Sequence, residues 1–290
     1  MRYNLFVGLL ALPLLGCGSD PADADDAGAT TTGATTSTGS AGTGGGAGGE
    51  SPGCAPTAAP DVTDVSGTWA YRAIGSQLTQ AQGLPPFQTR IVSVMLITQQ
   101  QNGDAISLQG TYCDHYTEDP DAIVHAVIPD SFRGALAPVT REGTFAAGEG
   151  GLRYELGPLH EVIGAALDDP TQDELPTDPA DARVVDQDED GHPGMTVQLQ
   201  GLIDGSVYVA ERARTELDGV AVATDRIEGR LGFVSEQSVL ETDPASLKAT
   251  MAASRTYPDP EECNSTFVMV RTPDDADCAW IKERADTLFQ

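Results

Sequence analysis

Turn dipeptides set between runs of period two constrain this chain more than any other feature of it. Asn102-Gly103 separates an apolar-rich run over 90–98 from another over 105–112. Both residues tolerate positive φ, so the pair predicts a tight antiparallel hairpin. Asp204-Gly205 leads from a run over 195–203 into one over 206–215, and Asp218-Gly219 is expected to close a further hairpin before 226–235. Val197, Val207 and Val209 stand among polar residues with the alternation of a sheet that has one wet face. With a first strand over 66–74, the pattern predicts a mainly β fold: an antiparallel meander forming a barrel or a sandwich.

About three short helices are expected to interrupt the strands. Residues 158–167 place Leu159, Val162, Ile163, Ala166 and Leu167 at helical spacing. Asp243 before Pro244 reads as an N-cap with proline at the first helical position, opening a helix to about Ala253. The third covers about 275–288, with Trp280, Arg284 and Leu288 four apart.

Composition divides the 290 residues unevenly. From Gly18 to Gly53 the chain is mostly Gly, Ala, Thr, Ser and Asp without apolar periodicity, and such a stretch cannot bury enough surface to offset its chain entropy. It is expected to be a flexible tether with a reach of roughly 30 to 36 Å, leaving one folded domain over 54–290. Asp plus Glu number 44 against 16 Lys plus Arg, a formal charge of -28. A surface so negative repels phosphate backbones, so nucleic acid is not an expected partner.

The first fifteen residues carry one cation, Arg2, and an apolar stretch from Leu5 to Leu15 that is too short to span a bilayer. It ends in Leu14-Leu15-Gly16-Cys17, which resembles the lipobox of bacterial lipoproteins. The resemblance implies that residues 1–16 are a signal peptide, that Cys17 is acylated, and that the mature chain is anchored to a lipid bilayer without crossing it. Gly18 stands where the inner-membrane retention signal carries Asp, which favours the outer membrane of the cell envelope. Gly67-Thr68-Trp69 is similar to the G-x-W signature of lipocalin-type barrels, in which the Trp plugs the closed end.

With Cys17 assigned to lipid, four cysteines remain: Cys54, Cys113, Cys263 and Cys278. In an oxidising compartment they predict two disulfides with three possible connectivities. Cys263 with Cys278 would close a local loop worth about 3 kcal/mol, and Cys54 with Cys113 would then pin the start of the domain to its third strand.

The most specific chemistry is Asp186-Gln187-Asp188-Glu189-Asp190-Gly191-His192. Carboxylates at alternate positions followed by Gly at the sixth aim three oxygens at one point, a geometry suited to calcium. The run resembles the D-x-D-x-D-G loops of EF-hand and thrombospondin type 3 proteins. That resemblance implies Asp186, Asp188 and Asp190 as side-chain ligands and the backbone carbonyl of His192 as a fourth. It departs from the EF-hand at position 12, where Val197 replaces the bidentate Glu. Further oxygens are expected from the upstream acids Asp168, Asp169, Asp173, Glu174, Asp178 and Asp181, and the ion's role is structural.

Enzymatic signatures are sparse. His160-Glu161 begins like a zinc-protease helix, but Gly164 takes the place of the second His, and the pair is expected on a helix's polar face. Within 54–290 no G-x-S-x-G elbow, P-loop or G-x-G-x-x-G occurs. His115 beside Asp114, and His125 ten residues on, would serve catalysis only through an unseen Ser or carboxylate partner. The leading expectation is a non-enzymatic envelope lipoprotein with a calcium-stabilised β-domain in a binding or surface-structural role. A lipocalin-like carrier of a small apolar ligand would instead show a hollow interior, and an extracytoplasmic hydrolase a His within hydrogen-bond reach of a Ser or Glu.

Overall fold

A computed structural model describes residues 56–59, 61–80, 86–119, 122–148 and 151–290. The signal segment, Cys17, the tether and Cys54 lie outside the described residues. Eight strands form a ring: β1 (Gly67–Gln80), β2 (Phe87–Asn102), β3 (Ala105–Glu118), β5 (Val139–Gly148), β6 (Gly151–Ile163), β8 (Gly205–Ala223), β9 (Arg226–Asp243) and β11 (Thr266–Arg271). Each pairs antiparallel with the next, and β11 returns to β1, so the eight make a closed up-and-down meander. Closure leaves the ring with no free edge. Two short strands, β4 (Val124–Val127) and β7 (Met195–Gly201), extend the sheet beside the first part of β8, and β10 (Arg255–Pro258) pairs with the far end of β1.

The interior is packed at one level and hollow at another. Trp69, Phe145, Tyr154 and Phe267 are fully buried together with Ile97, Leu108, Ile227 and Met269. The indole Nε1 of Trp69 donates to the carbonyl of Val65 at 3.1 Å, and the Arg271 guanidinium lies 4.4 Å from the ring centroid. That guanidinium also donates to the carbonyls of Thr224 and Ser66, tying the end of β11 to the chain entering β1. Gln99, 1% exposed, bridges the same level: it donates to Val65 O at 2.8 Å and accepts from the Tyr154 hydroxyl at 2.6 Å.

Outside the ring, the C-terminal segment covers Ala70, Val92, Val94 and Val268 with Ile281 and Phe289. Loop 164–194 lays Ala165 and Leu175 on Ala210 and Leu240.

Several expectations are corrected. Residues 158–167 are not a helix: β6 runs to Ile163. Leu159 and Ile163 face the interior while Val162 packs under the 164–194 loop, so the strand is apolar on both sides and its spacing imitates a helix. Asp218-Gly219 makes no turn, because β8 continues through it to Ala223. Gly219 faces Gly229 across the ladder, and a Cβ on it would stand 2.3 Å from Glu228 O and 2.8 Å from the Phe267 ring, so a close approach explains the glycine. Asp243 is the last residue of β9, paired with Ser206, and cannot cap; helix α2 begins three residues beyond the proline, at Leu247–Ala252. The last helix is two pieces, α3 (Cys278–Lys282) and α4 (Ala285–Leu288), the first capped by Asp277, which accepts from Trp280 N at 2.8 Å. A helix not foreseen, α1 (Asp130–Ala135), follows β4.

The expected local disulfide is also overturned. Cys113 on β3 bonds Cys278 at the start of α3, 165 residues away, and Cys263 is disulfide-bonded as well. The reason is packing: α3 and α4 lie on the outer face of β2 and β3, and this brings Cys278 over Cys113.

Candidate functional site: a mainly apolar lumen and an acidic loop

Beyond the packed level the barrel encloses a cavity of about 730 Å³, within the range of small-molecule sites. Alternation along each strand decides what lines it. β1 presents Ala73, Gly75 and Gln77; β8 presents Val209, Glu211, Ala213 and Thr215; β9 presents Phe233, Ser235 and Gln237. Phe132 of α1 and Met251 of α2 add to the wall. The wall is mainly apolar with a few convergent polar groups.

One of those convergences depends on a bulge. Val94 pairs with Asp114 but Met95 with Tyr112, so Cys113 is an extra residue in β3. The insertion resets the alternation, and Tyr112 and His115, three apart, both face the lumen while Cys113 turns outward to its disulfide. The Tyr112 hydroxyl donates to Glu161 Oε1 at 2.8 Å. Glu161 therefore points inward from β6, rather than lying on a helix's polar face. Glu211, on the neighbouring β8, accepts from Ser235 Oγ at 2.8 Å and from Gln237 Nε2 at 3.5 Å. Burial raises the pKa of both carboxyls, and for Glu161 the Tyr112 hydrogen bond and the Arg141 charge partly offset the effect.

Arg141, also on the lumen wall, gives its Nη2 to backbone, with Gly157 O at 2.7 Å, Thr215 O at 3.0 Å and Leu156 O at 3.4 Å, and its Nη1 to Thr215 Oγ1 at 3.5 Å. Its Nε is buried without a hydrogen-bond partner. Among the described residues neither Glu161 nor Glu211 is within ion-pair distance of a cation.

Ser93 Oγ and His115 Nδ1 stand 3.0 Å apart across β2 and β3, the contact that a hydrolase reading looks for. The imidazole, however, is held as wall. It stacks on Phe132 at 6.0 Å, meets Tyr112 edge-on at 5.9 Å, and burial lowers its pKa to about 4. Its backbone N–H goes to Asp114 Oδ1, and among the described residues no carboxylate orients its ring. His125 pairs with Asp119 at 2.9 Å near the rim.

The acidic loop folds as its spacing asks. Oxygens of Asp186, Asp188 and Asp190 all lie within 4.8 Å of one another. Gly191 has φ +88°, and the N–H groups of Asp190 and Gly191 both reach back to Asp186. Asp188 is 9% exposed; its Oδ2 accepts from Thr196 N at 3.2 Å, and its Oδ1 is buried with no hydrogen-bond partner. Burial, with the charges of Asp190 and Asp186 added, raises its pKa. An orphaned buried carboxylate oxygen beside two further carboxylates fits a hard divalent cation such as calcium.

His192 has its ring stacked on Tyr208 at 4.2 Å and its N–H on Asp190. The upstream acids do not join the cluster. Asp169, Asp173 and Asp178 spend oxygens on backbone N–H groups of their own turns, and Asp181 pairs with Arg183 at 2.8 Å.

Glu211, Arg141, Ser93 and Tyr112 were not singled out by sequence reasoning. Parity along the strands would have placed Glu211 with Val207 and Val209 on one face, but with 44 acidic residues that signal is easily lost. No family model matches the chain, nor does any curated protein or any solved structure.

Proposed function

We propose that the domain is a carrier of a small, largely apolar ligand bound inside the barrel, held at the bacterial envelope by acylated Cys17 and steadied by calcium at Asp186, Asp188 and Asp190. The observation that carries this reading is the lumen: a packed barrel of this size needs no cavity of about 730 Å³, and void of that volume costs stability unless a ligand or water fills it. A purely surface-structural role leaves the hollow unexplained. The calcium loop connects β6 to β7 and touches α1, since Gln187 donates to Ala135 O at 3.0 Å and Ser131 to Asp188 at 3.4 Å. Its ion would thus brace the helix that supplies Phe132 to the cavity wall.

The test is a neutral apolar dye, N-phenyl-1-naphthylamine, whose emission rises in a dry site. Saturable, one-to-one enhancement is expected with the purified chain. Ala213→Trp, which places an indole in the lumen, abolishes it while far-UV circular dichroism stays β-type. No enhancement, or equal enhancement in both proteins, would refute the carrier reading.

A further inference from the structure

Within that carrier reading, we infer that the lumen selects an amphiphile with a protonated amine head, recognised by Glu161 and Glu211. The two carboxyls project into one cavity from adjacent strands. Glu161 is paired with Ala213 and Ile163 with Glu211, so the carboxyls sit diagonally on the same inner face. Each has found hydrogen-bond donors, Tyr112 for one and Ser235 with Gln237 for the other, but among the described residues neither forms an ion pair.

Among the described residues the one cation on that stretch of wall is Arg141, whose Nη2 is held by the carbonyls of Leu156, Gly157 and Thr215 and whose Nη1 lies 3.5 Å from Thr215 Oγ1. With both glutamates ionised, a state that burial disfavours until a cation arrives, Arg141 and the pair leave one uncompensated negative charge in the cavity. A cationic head brings the sum to zero. An alcohol leaves it unchanged, and a carboxylate doubles it.

The surroundings act in the same direction. At the rim, His125 and Arg212 are already held by Asp119 and Glu236, so among the described residues neither is free for an incoming anion. His115 adds no charge, because burial keeps its ring neutral. At long range a chain of formal charge -28 attracts cations and repels anionic amphiphiles. The apolar remainder of the wall, with Leu159, Ile163, Val209, Phe233 and Val239, suits a hydrocarbon tail.

Three ten-carbon probes that differ only in the head decide the matter: decylamine, decanol and decanoate, each titrated below its micellar concentration or solubility limit against dye-loaded protein. Decylamine is expected to displace the dye at a concentration at least tenfold below either of the others. In Glu161→Gln/Glu211→Gln the advantage of the amine should fall below threefold, with a thermal melt to verify the fold. The single variant Glu211→Gln, which is milder, should show an intermediate ratio. Equal or better displacement by decanol or decanoate, or an amine preference that survives the double substitution, overturns the inference. So does a dye that binds but yields to none of the probes. A dye that never binds instead sinks the carrier reading beneath it.

Discussion

Acidification should destabilise this domain through His115, and the size of the effect follows from where the ring sits. The imidazole is packed between Phe132 and Tyr112 and hydrogen-bonded to Ser93, and desolvation lowers its pKa from 6.5 to about 4. A depressed folded-state pKa means that the unfolded chain binds the proton first. The contribution of His115 is therefore fully present above pH 6.5 and is lost as pH falls towards 4. At about 1.4 kcal/mol per unit, the whole shift is worth about 3 kcal/mol, of which about 2 kcal/mol is gone by pH 5.

Other groups can be separated from it. Glu161 and Glu211, with raised pKa values, act in the opposite direction near pH 5, while Asp181 and Asp259, lowered to about 2, lose their contribution only below 3.8. Both sets are common to the wild type and His115→Gln, so the difference between the two proteins isolates the imidazole. Urea unfolding at half-unit steps from pH 7 to pH 4.5 should show the wild type losing about 2 kcal/mol more than the variant by pH 5. Parallel curves for the two proteins, or an imidazole titrating near 6.5 by NMR, would refute the placement of this ring in a dry wall.

Calcium at 10 mM should raise the melting temperature of the purified chain over an EDTA control. With a dissociation constant of about 0.1 to 1 mM, typical of extracellular modules, mass action supplies about 1.4 to 2.7 kcal/mol, or roughly 3 to 10 °C. Asp188→Asn should abolish the rise, and superimposable melts with and without the ion would end the assignment. Arg271→Ala, which removes the cation over Trp69 and its bonds to Ser66 and Thr224, should cost about 2 to 3 kcal/mol in urea unfolding. Arg271→Lys should restore less than half of that, since one ammonium cannot make the stacked and forked contacts together; full rescue by Lys would show that charge alone matters.

How much of this could be read in advance depended on whether the cause was local. Asn102-Gly103 closes the β2–β3 hairpin and Asp204-Gly205 the β7–β8 hairpin because turn conformation is decided by the residues that occupy it. The DxDxDG spacing likewise brings its carboxylates together through its own backbone. Where the cause lay on another strand, local reading went astray. The spacing over 158–167 imitates a helix because the second apolar face of the strand residues is covered by the 164–194 loop. Gly219 imitated a turn because Phe267, almost fifty residues on, needs room above it.

The hollow is the extreme case. Trp69, Phe145, Tyr154 and Phe267 fill one level of the barrel from four different strands, and Gly75, Ala213 and Ser235 leave another level empty, also from separate strands. Period-two alternation says which residues face inward, but it assigns no height along the barrel axis. That height is set by the register of each pair and is shifted by the bulges at Cys113 and beside Gly157. Side-chain volumes can be summed across a level only once all eight registers are known. A cavity is such a sum, so the function proposed here rests on the one property of the fold that no single stretch of sequence contains.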